Sequence, residues 1–239
     1  MDLVVTGATS FLGAALIKEA LLRGHQVYAV ARPGSANLAA LTACVTTDER
    51  CQKEQREKLH ILELELGSLD KISRMIPGPC DIFFHFGWDG SGSHNRTKTD
   101  VQQKNVEDGI KALQGARSLG CGRFVFSGSQ AEYGISRVAT REDMACHPVS
   151  EYGKAKVEFG KRAAELCRRW AREEGFSMKY IHARIFSVYG PGDHPWSLVN
   201  TCLDTFLKDG PMELGACTQQ WNYLYIEDLV NGLLALAFS

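Results

Sequence analysis

Residues 4–13 read Val4-Val5-Thr6-Gly7-Ala8-Thr9-Ser10-Phe11-Leu12-Gly13. The apolar run Leu3–Val5 reads as a strand. Phe11–Leu22, with Leu12, Ala15, Leu16 and Ala20 on one face, reads as a helix. Gly7 and Gly13 therefore bracket a strand-to-helix turn. A helix N-terminus presents unpaired N–H groups and a partial positive charge, which suits a pyrophosphate. In that setting Gly7 permits the tight turn, and Gly13 lets the helix pack closely on the strand. Ser10 stands where a third glycine is expected. At negative φ it is tolerated, and its hydroxyl is free to donate to a phosphate oxygen. At positive φ it costs about 1 kcal/mol and weakens ligand binding. A plain strand-to-helix turn explains two glycines equally well.

Outward from this turn, short apolar runs alternate with helical patterns. Val27–Ala31, Ile61–Leu66, Asp81–Phe86, Arg123–Ser127 and Lys179–Ile185 read as strands. Leu69–Ile76, Asp100–Leu119, Ser150–Glu174 and Ile226–Phe238 read as helices, and Ser35–Lys58 as a loop plus a solvated helix. Gly24 and Gly120 close two of the helices. The β-branched and aromatic residues run continuously through each strand, so both faces are buried. The order βαβα then predicts an α/β fold: a doubly wound parallel sheet of the Rossmann type with right-handed crossovers. Residues 1–185 are read as the dinucleotide-binding domain. Residues 186–239 are read as a partial substrate-binding region interleaved with the last sheet elements.

Composition narrows the function classes. The chain has 239 residues with 27 Lys and Arg against 28 Asp and Glu, so no basic field marks a nucleic-acid or anionic-membrane binder. No apolar run approaches bilayer length, and the start carries no secretory pattern, which predicts a cytoplasmic protein. The 8 cysteines include no C-x-x-C pair and no zinc-like spacing with histidine, so free thiols and no metal are expected.

A second motif supplies chemistry. Glu151-Tyr152-Gly153-Lys154-Ala155-Lys156 places Tyr152 and Lys156 four residues apart at the start of a helix, on one face. A phenol ionises near pH 10, too high for acid–base work at neutrality, and a nearby ammonium lowers that value. Tyr152 is therefore the candidate proton donor and acceptor, with Lys156 tuning it and holding a ribose hydroxyl. Upstream, Ser129 lies just past a strand's carboxyl end, where open α/β sheets bind ligands. It is placed to hydrogen-bond a substrate oxygen and the phenol together. An ordinary surface Tyr/Lys pair is the bland alternative.

Together these stretches resemble the extended short-chain dehydrogenase/reductases, the NAD-dependent epimerase/dehydratase family acting on nucleotide sugars. Thr6–Gly13 is similar to that family's T-G-x-x-G-x-x-G with the middle glycine replaced by Ser10. His85-Phe86-Gly87-Trp88, Asn105-Val106, Arg184–Asp193 (RIFSVYGPGD) and Asn222–Leu229 (NYLYIEDL) extend the resemblance along nearly the whole chain. It implies that Gly7, Ser10, Phe11, Leu12 and Gly13 wrap the pyrophosphate, and that Glu65 and Leu66 lie near the adenine. Phe86 and Gly87 would line the crevice, Asn105 would help fix the cofactor, and Ile185 and Phe186 would approach the nicotinamide. Ser129, Tyr152 and Lys156 would form the catalytic triad. Trp88 and Ser187 would face the substrate, Ser187 standing where the family often has asparagine. Phe86, Ile185 and Phe186 read equally well as core residues. His85 reads as a satisfied buried histidine.

The second strand ends at Arg32, where NAD binders usually carry an acidic residue. Arginine accommodates the 2′-phosphate of NADP, so NADP is the favoured cofactor and NAD the alternative. Gln130 and Ala131 stand where the family's dehydratases carry Asp-Glu, which disfavours elimination. Ala131 also lacks the extra acid–base group of the family's epimerase-reductases. The expectation is NADPH-dependent reduction of a 4-keto nucleotide sugar. NAD-dependent 4-epimerisation of a UDP-sugar is the alternative, and a catalytically drifted dinucleotide sensor is the third reading. The resemblance also implies a homodimer built on the Asp100–Leu119 and Ser150–Glu174 helices. Family members usually continue past Phe238, so the expectation is either a trimmed chain or a reduced lid.

Overall fold

The computed structural model describes residues 1–136 and 138–239. Six strands form one parallel sheet: β1 (Asp2–Thr6), β2 (Gln26–Ala31), β3 (Leu59–Glu63), β4 (Ile82–His85), β5 (Arg123–Ser129) and β6 (Lys179–Ile185), in the spatial order β3-β2-β1-β4-β5-β6. The order reverses between β1 and β4. In an open parallel sheet the carboxyl ends of the two strands diverge there into a crevice.

Alternation along the strands builds two cores. Val4, Tyr28, Val30, Phe83, Phe124 and Phe126 point to one face, which is covered by α4 (Thr99–Ser118), α5 (Glu151–Glu173) and a 3-10 segment, Leu66–Arg74. Leu3, Val5, Val27, Ala29, Ile82, Phe84 and Val125 point to the other, covered by α1 (Phe11–Leu22), α2 (Leu38–Thr46) and α7 (Ile226–Phe238). The central strands β1, β2 and β4 are apolar almost throughout because period-2 alternation feeds two cores at once, whereas the edge strands β3 and β6 carry polar residues and are only partly buried. The last helix packs along α1 through Leu229, Val230, Leu233 and Leu234, so it completes the core on that face of the sheet.

Several elements differ from the sequence reading. The Ser35–Lys58 stretch folds as two helices, α2 and α3 (Lys53–Arg56), and buries Leu41, Val45 and Cys51, so it is not simply solvated. The third strand lies at Leu59–Glu63, ahead of its predicted place, because it pairs in register with Val27–Ala31. The short helix expected at Leu69–Ile76 is a 3-10 helix that starts earlier, at Leu66–Arg74. Three elements carry no clear periodic signal: α6 (Leu198–Leu207) and the strands β7 (Ser187–Tyr189) and β8 (Tyr223–Tyr225). The two strands pair in parallel across a long connection, with Val188 opposite Leu224.

Candidate active site

The turn after β1 is built by two close backbone approaches. Gly7 has φ +67°, and a Cβ there would lie 2.7 Å from the Gly87 nitrogen on the neighbouring β4 connection. A Cβ on Gly13 would lie 2.2 Å from the Gly7 carbonyl oxygen, so any side chain would push α1 off the turn. Ser10 has φ −79° and is the N-cap of α1: its Oγ accepts the Gly13 N–H at 3.1 Å. The missing glycine is thus a capping residue in ordinary extended backbone. Among the described residues, the N–H groups of Phe11 and Leu12 find no acceptor. They are the orphan donors of a helix start, aimed where an anion binds. Beneath the turn, Thr6 and His85 share a buried 2.7 Å hydrogen bond. Burial, with Lys156 nearby, pushes the His85 imidazole down to about 3, so it is a neutral structural residue.

These groups open onto a cavity of about 600 Å³ at the sheet's switch point. Gly7, Ser10, Phe11 and Leu12 form one wall, and Arg32, Glu65 and Leu66 line the end beyond β2 and β3. Phe86, Gly87 and Trp88 form the floor, and Ser129, Tyr152, Lys156, Ile185, Phe186 and Ser187 the opposite side. Of the predicted site residues, two do not line it. Gly13 acts through helix packing. Asn105 is buried behind the wall, where its amide accepts the Asp89 N–H and donates to the Asp89 carbonyl, both at 2.8 Å. It orders the loop after β4 and does not reach the cavity.

The proton-handling groups converge from two elements. Ser129 ends β5 and caps a 3-10 turn, Gln130–Glu132: its hydroxyl accepts the Ala131 N–H, and its own N–H donates to the Glu132 carboxylate at 2.7 Å. Ser150 caps α5 by accepting the Gly153 N–H, which sets Tyr152 in the first turn and Lys156 one turn on. The Lys156 ammonium donates to the Ser127 carbonyl at 2.8 Å and lies 4.0 Å from the centre of the Trp88 ring. The side chain is only 2% exposed, and burial brings its ammonium down to about 7, against a smaller upward pull from Glu132.

Several groups act on the Tyr152 phenol. Burial raises the phenol above its ordinary value. Hydrogen bonding to Ser129 and the charge of Arg96 pull it down, while Glu132 pushes it up. The Lys156 nitrogen is 5.4 Å from the phenol ring and committed to Ser127.

Arg96, Asp89 and Ser35 are among the cavity residues that escaped the sequence reading. Arg96 stacks over the Tyr152 ring at 4.3 Å. Asp89 faces Arg32 with an N···O separation of 3.9 Å, both side chains being well exposed. Ser35 lines the far end beside Arg32 and shares a 3.2 Å hydrogen bond with Thr9. None lies in a spaced motif; only the loop's return toward the cavity brings Arg96 and Asp89 into it. Behind the site, the Glu132 carboxylate is 1% exposed and accepts from His182 at 2.9 Å and Arg184 at 3.1 Å.

A dinucleotide fits this arrangement. The free amides of Phe11 and Leu12 meet the requirement of a diphosphate, and the cavity runs from there to Arg32 in one direction and Tyr152 in the other. Comparison with known proteins agrees. The model of the NAD-dependent epimerase/dehydratase family matches residues 3–238. An uncharacterised UDP-glucose epimerase of Bacillus subtilis, YtcB, is 26% identical over 99% of this chain and 72% of its own length. An ADP-L-glycero-D-manno-heptose-6-epimerase of Pseudomonas aeruginosa is 23% identical over 90% of this chain, which spans only 60% of that relative. Among solved structures, a UDP-N-acetylglucosamine 4-epimerase from Methanobrevibacter ruminantium superposes with a TM-score of 0.79 at 21% identity, covering 100% of this chain and 73% of that one. A UDP-glucose 4-epimerase from Thermotoga maritima superposes with a TM-score of 0.77 at 21% identity, covering 99% and 73%. Both structures share the fold.

Proposed function

The chain belongs to the NAD-dependent epimerase/dehydratase family, and from that premise we propose that it carries out oxidoreduction at a ring carbon of a nucleotide-linked sugar. The observation that carries this reading is convergence: Ser129, Tyr152 and Lys156 line the same cavity as the open amides at Phe11–Leu12. A nicotinamide cofactor, when bound, supplies or accepts the hydride. Gly7, Ser10, Phe11 and Leu12 hold its diphosphate, and Ile185 and Phe186 pack near its reactive end. Tyr152 gives or takes the proton of the sugar hydroxyl, and Ser129 orients that oxygen. Lys156 keeps its ammonium inside the wall, within reach of a ribose hydroxyl. Trp88 closes the floor against water, and Ser187 borders the sugar.

We propose NADPH-dependent reduction of a 4-keto sugar as the net reaction. The support is Arg32 and Ser35 together at the ribose end, with no acidic side chain at the end of β2. A guanidinium there suits a 2′-phosphate. One observation favours the second reading, 4-epimerisation with tightly held NAD: the Asp89 carboxylate faces Arg32 and would repel a phosphate. Purified protein is mixed with NADPH and a dTDP- or CDP-4-keto-6-deoxyhexose. Loss of the reduced-nicotinamide absorbance supports the first reading. Copurified NAD with interconversion of UDP-glucose and UDP-galactose, and no net redox, supports the second. Neither activity, with dinucleotide bound, would leave a sensor.

The homodimer remains part of this proposal. Helices α4 and α5 lie side by side on one face of the sheet, as a two-helix interface requires. Among the described residues no helix is long and apolar enough to cross a membrane. Free thiols at all the cysteines support a reducing, cytoplasmic setting.

A further inference from the structure

A set of polar side chains lies behind Ser129, and none of them lines the cavity. Alternate residues of β6, Tyr180, His182 and Arg184, fall on one face of the sheet. His182 is the middle member. Its Nε2 lies 2.9 Å from both oxygens of the buried Glu132 carboxylate, and its Nδ1 lies 2.8 Å from the Tyr180 hydroxyl. A carboxylate only accepts, so Nε2 carries a proton, and in the neutral ring Nδ1 accepts from the Tyr180 O–H. Bare backbone holds the imidazole from two sides. A Cβ on Gly128 of β5 would lie 2.5 Å from Nε2, and one on Gly160 of α5 would lie 2.6 Å from Nδ1. Neither glycine has a positive φ, so the ring, and not the backbone conformation, excludes a side chain there.

On the reading of Ser129 and Tyr152 as the groups at the reacting oxygen, we infer that His182 is a positioning residue: through Glu132 it fixes the backbone of Ser129, and with it the direction of the Ser129 hydroxyl. Glu132 carries the hold forward by accepting the Ser129 N–H at 2.7 Å, at the point where β5 gives way to the 3-10 turn. A carboxylate this buried keeps its charge only while its lone pairs are filled. Arg184 donates to it at 3.1 Å but is shared with the Tyr133 hydroxyl and the Glu142 carbonyl. His182 is the donor that spans both carboxylate oxygens. Without it the carboxylate either takes a proton or shifts toward Arg184. In both cases the Ser129 N–H loses a charged acceptor and the turn loosens. The hydroxyl swings with that backbone, and a displacement well under 1 Å is enough to spoil a proton transfer. His182 itself touches neither cavity nor substrate, so its part is in the rate and not in binding.

The test joins steady-state kinetics to hydrogen exchange at the Ser129 amide. His182→Leu removes the Nε2 donor and keeps the bulk. Its kcat should fall about tenfold or more, with KM and dinucleotide affinity within about twofold of the parent. The Ser129 amide should exchange about tenfold faster relative to the amides of β1, which report general stability. His182→Gln returns an N–H near the place of Nε2 and should recover most of both losses. In a Glu132→Gln background, His182→Leu should cost little further kcat, because the two act as one unit. An unchanged kcat in folded His182→Leu overturns the inference. So does a rise in exchange shared equally by β1, or losses that add in the double variant. His182→Ala serves if the Leu variant does not fold. Absence of turnover on every nucleotide sugar would sink the enzymatic reading, while the Ser129 exchange would still decide whether His182 holds that turn.

Discussion

The Ser10 hydroxyl accepts the Gly13 amide at 3.1 Å, so the residue that breaks the glycine pattern closes the first turn of α1. The cap occupies one orphan donor and leaves those of Phe11 and Leu12 open. Ser10→Ala should therefore lower unfolding free energy by about 1 kcal/mol, whereas Ser10→Gly should cost only a few tenths. Urea denaturation of the two variants checks this. Equal losses would mean that the hydroxyl caps nothing.

Tyr152→Phe should abolish turnover and leave dinucleotide affinity within a few fold, because the ring still packs under Arg96 while the proton is gone. Steady-state rates alongside calorimetric binding of NADPH and NAD decide it. Retention of substantial turnover would remove Tyr152 from the chemistry.

The buried ammonium of Lys156 gives a pH signature. Its value is about 7 when folded and near 10.5 when unfolded, so the folded state resists the proton that the unfolded chain keeps. The resulting destabilisation is fully present below pH 7 and fades as pH rises toward the unfolded value. Lys156→Met should accordingly be inactive yet more stable by about 2 kcal/mol at pH 6, with the gain shrinking by pH 10. Thermal unfolding across that range tests the sign. A variant less stable than the parent at pH 6 would show that the Ser127 hydrogen bond outweighs the burial.

Glu132 should behave in the opposite sense. Burial pushes its carboxyl up, but His182, the Ser129 amide and Arg184 outweigh this and hold it below the ordinary value. Its stabilisation is present above the unfolded carboxylate range and lost as pH falls through the folded value. Glu132→Ala strands the Arg184 guanidinium and takes the acceptor from the His182 ring, and should cost roughly 3–5 kcal/mol at pH 7, with the difference from the parent narrowing in acid. Acid and urea titrations of both proteins measure it.

At the far end of the cavity, Arg32→Asp should weaken NADPH binding at least tenfold while sparing NADH, and Asp89→Asn should strengthen NADPH. Dissociation constants for the two cofactors give the ratio. If Arg32→Asp leaves that ratio unchanged, Arg32 does not read the 2′-phosphate.

Much of this molecule was legible in its residues, because local rules carried it. Unbroken apolar strands demand burial on both faces, and Phe11–Leu22, Lys179–Ile185 and Ile226–Phe238 fall where their periodicity puts them. A strand followed by a glycine turn and a helix start leaves unpaired N–H groups at that turn, and the four-residue spacing of Tyr152 and Lys156 puts them on one helical face. Only the tertiary structure decided what those groups do to one another. Charge effects depend on distance and solvent, and neither is written in spacing along the chain. Folding buries the Lys156 ammonium against the Ser127 carbonyl and bends a distant loop until Arg96 lies on the Tyr152 ring. It also turns Asn105 from a ligand-facing residue into the clamp that holds that loop.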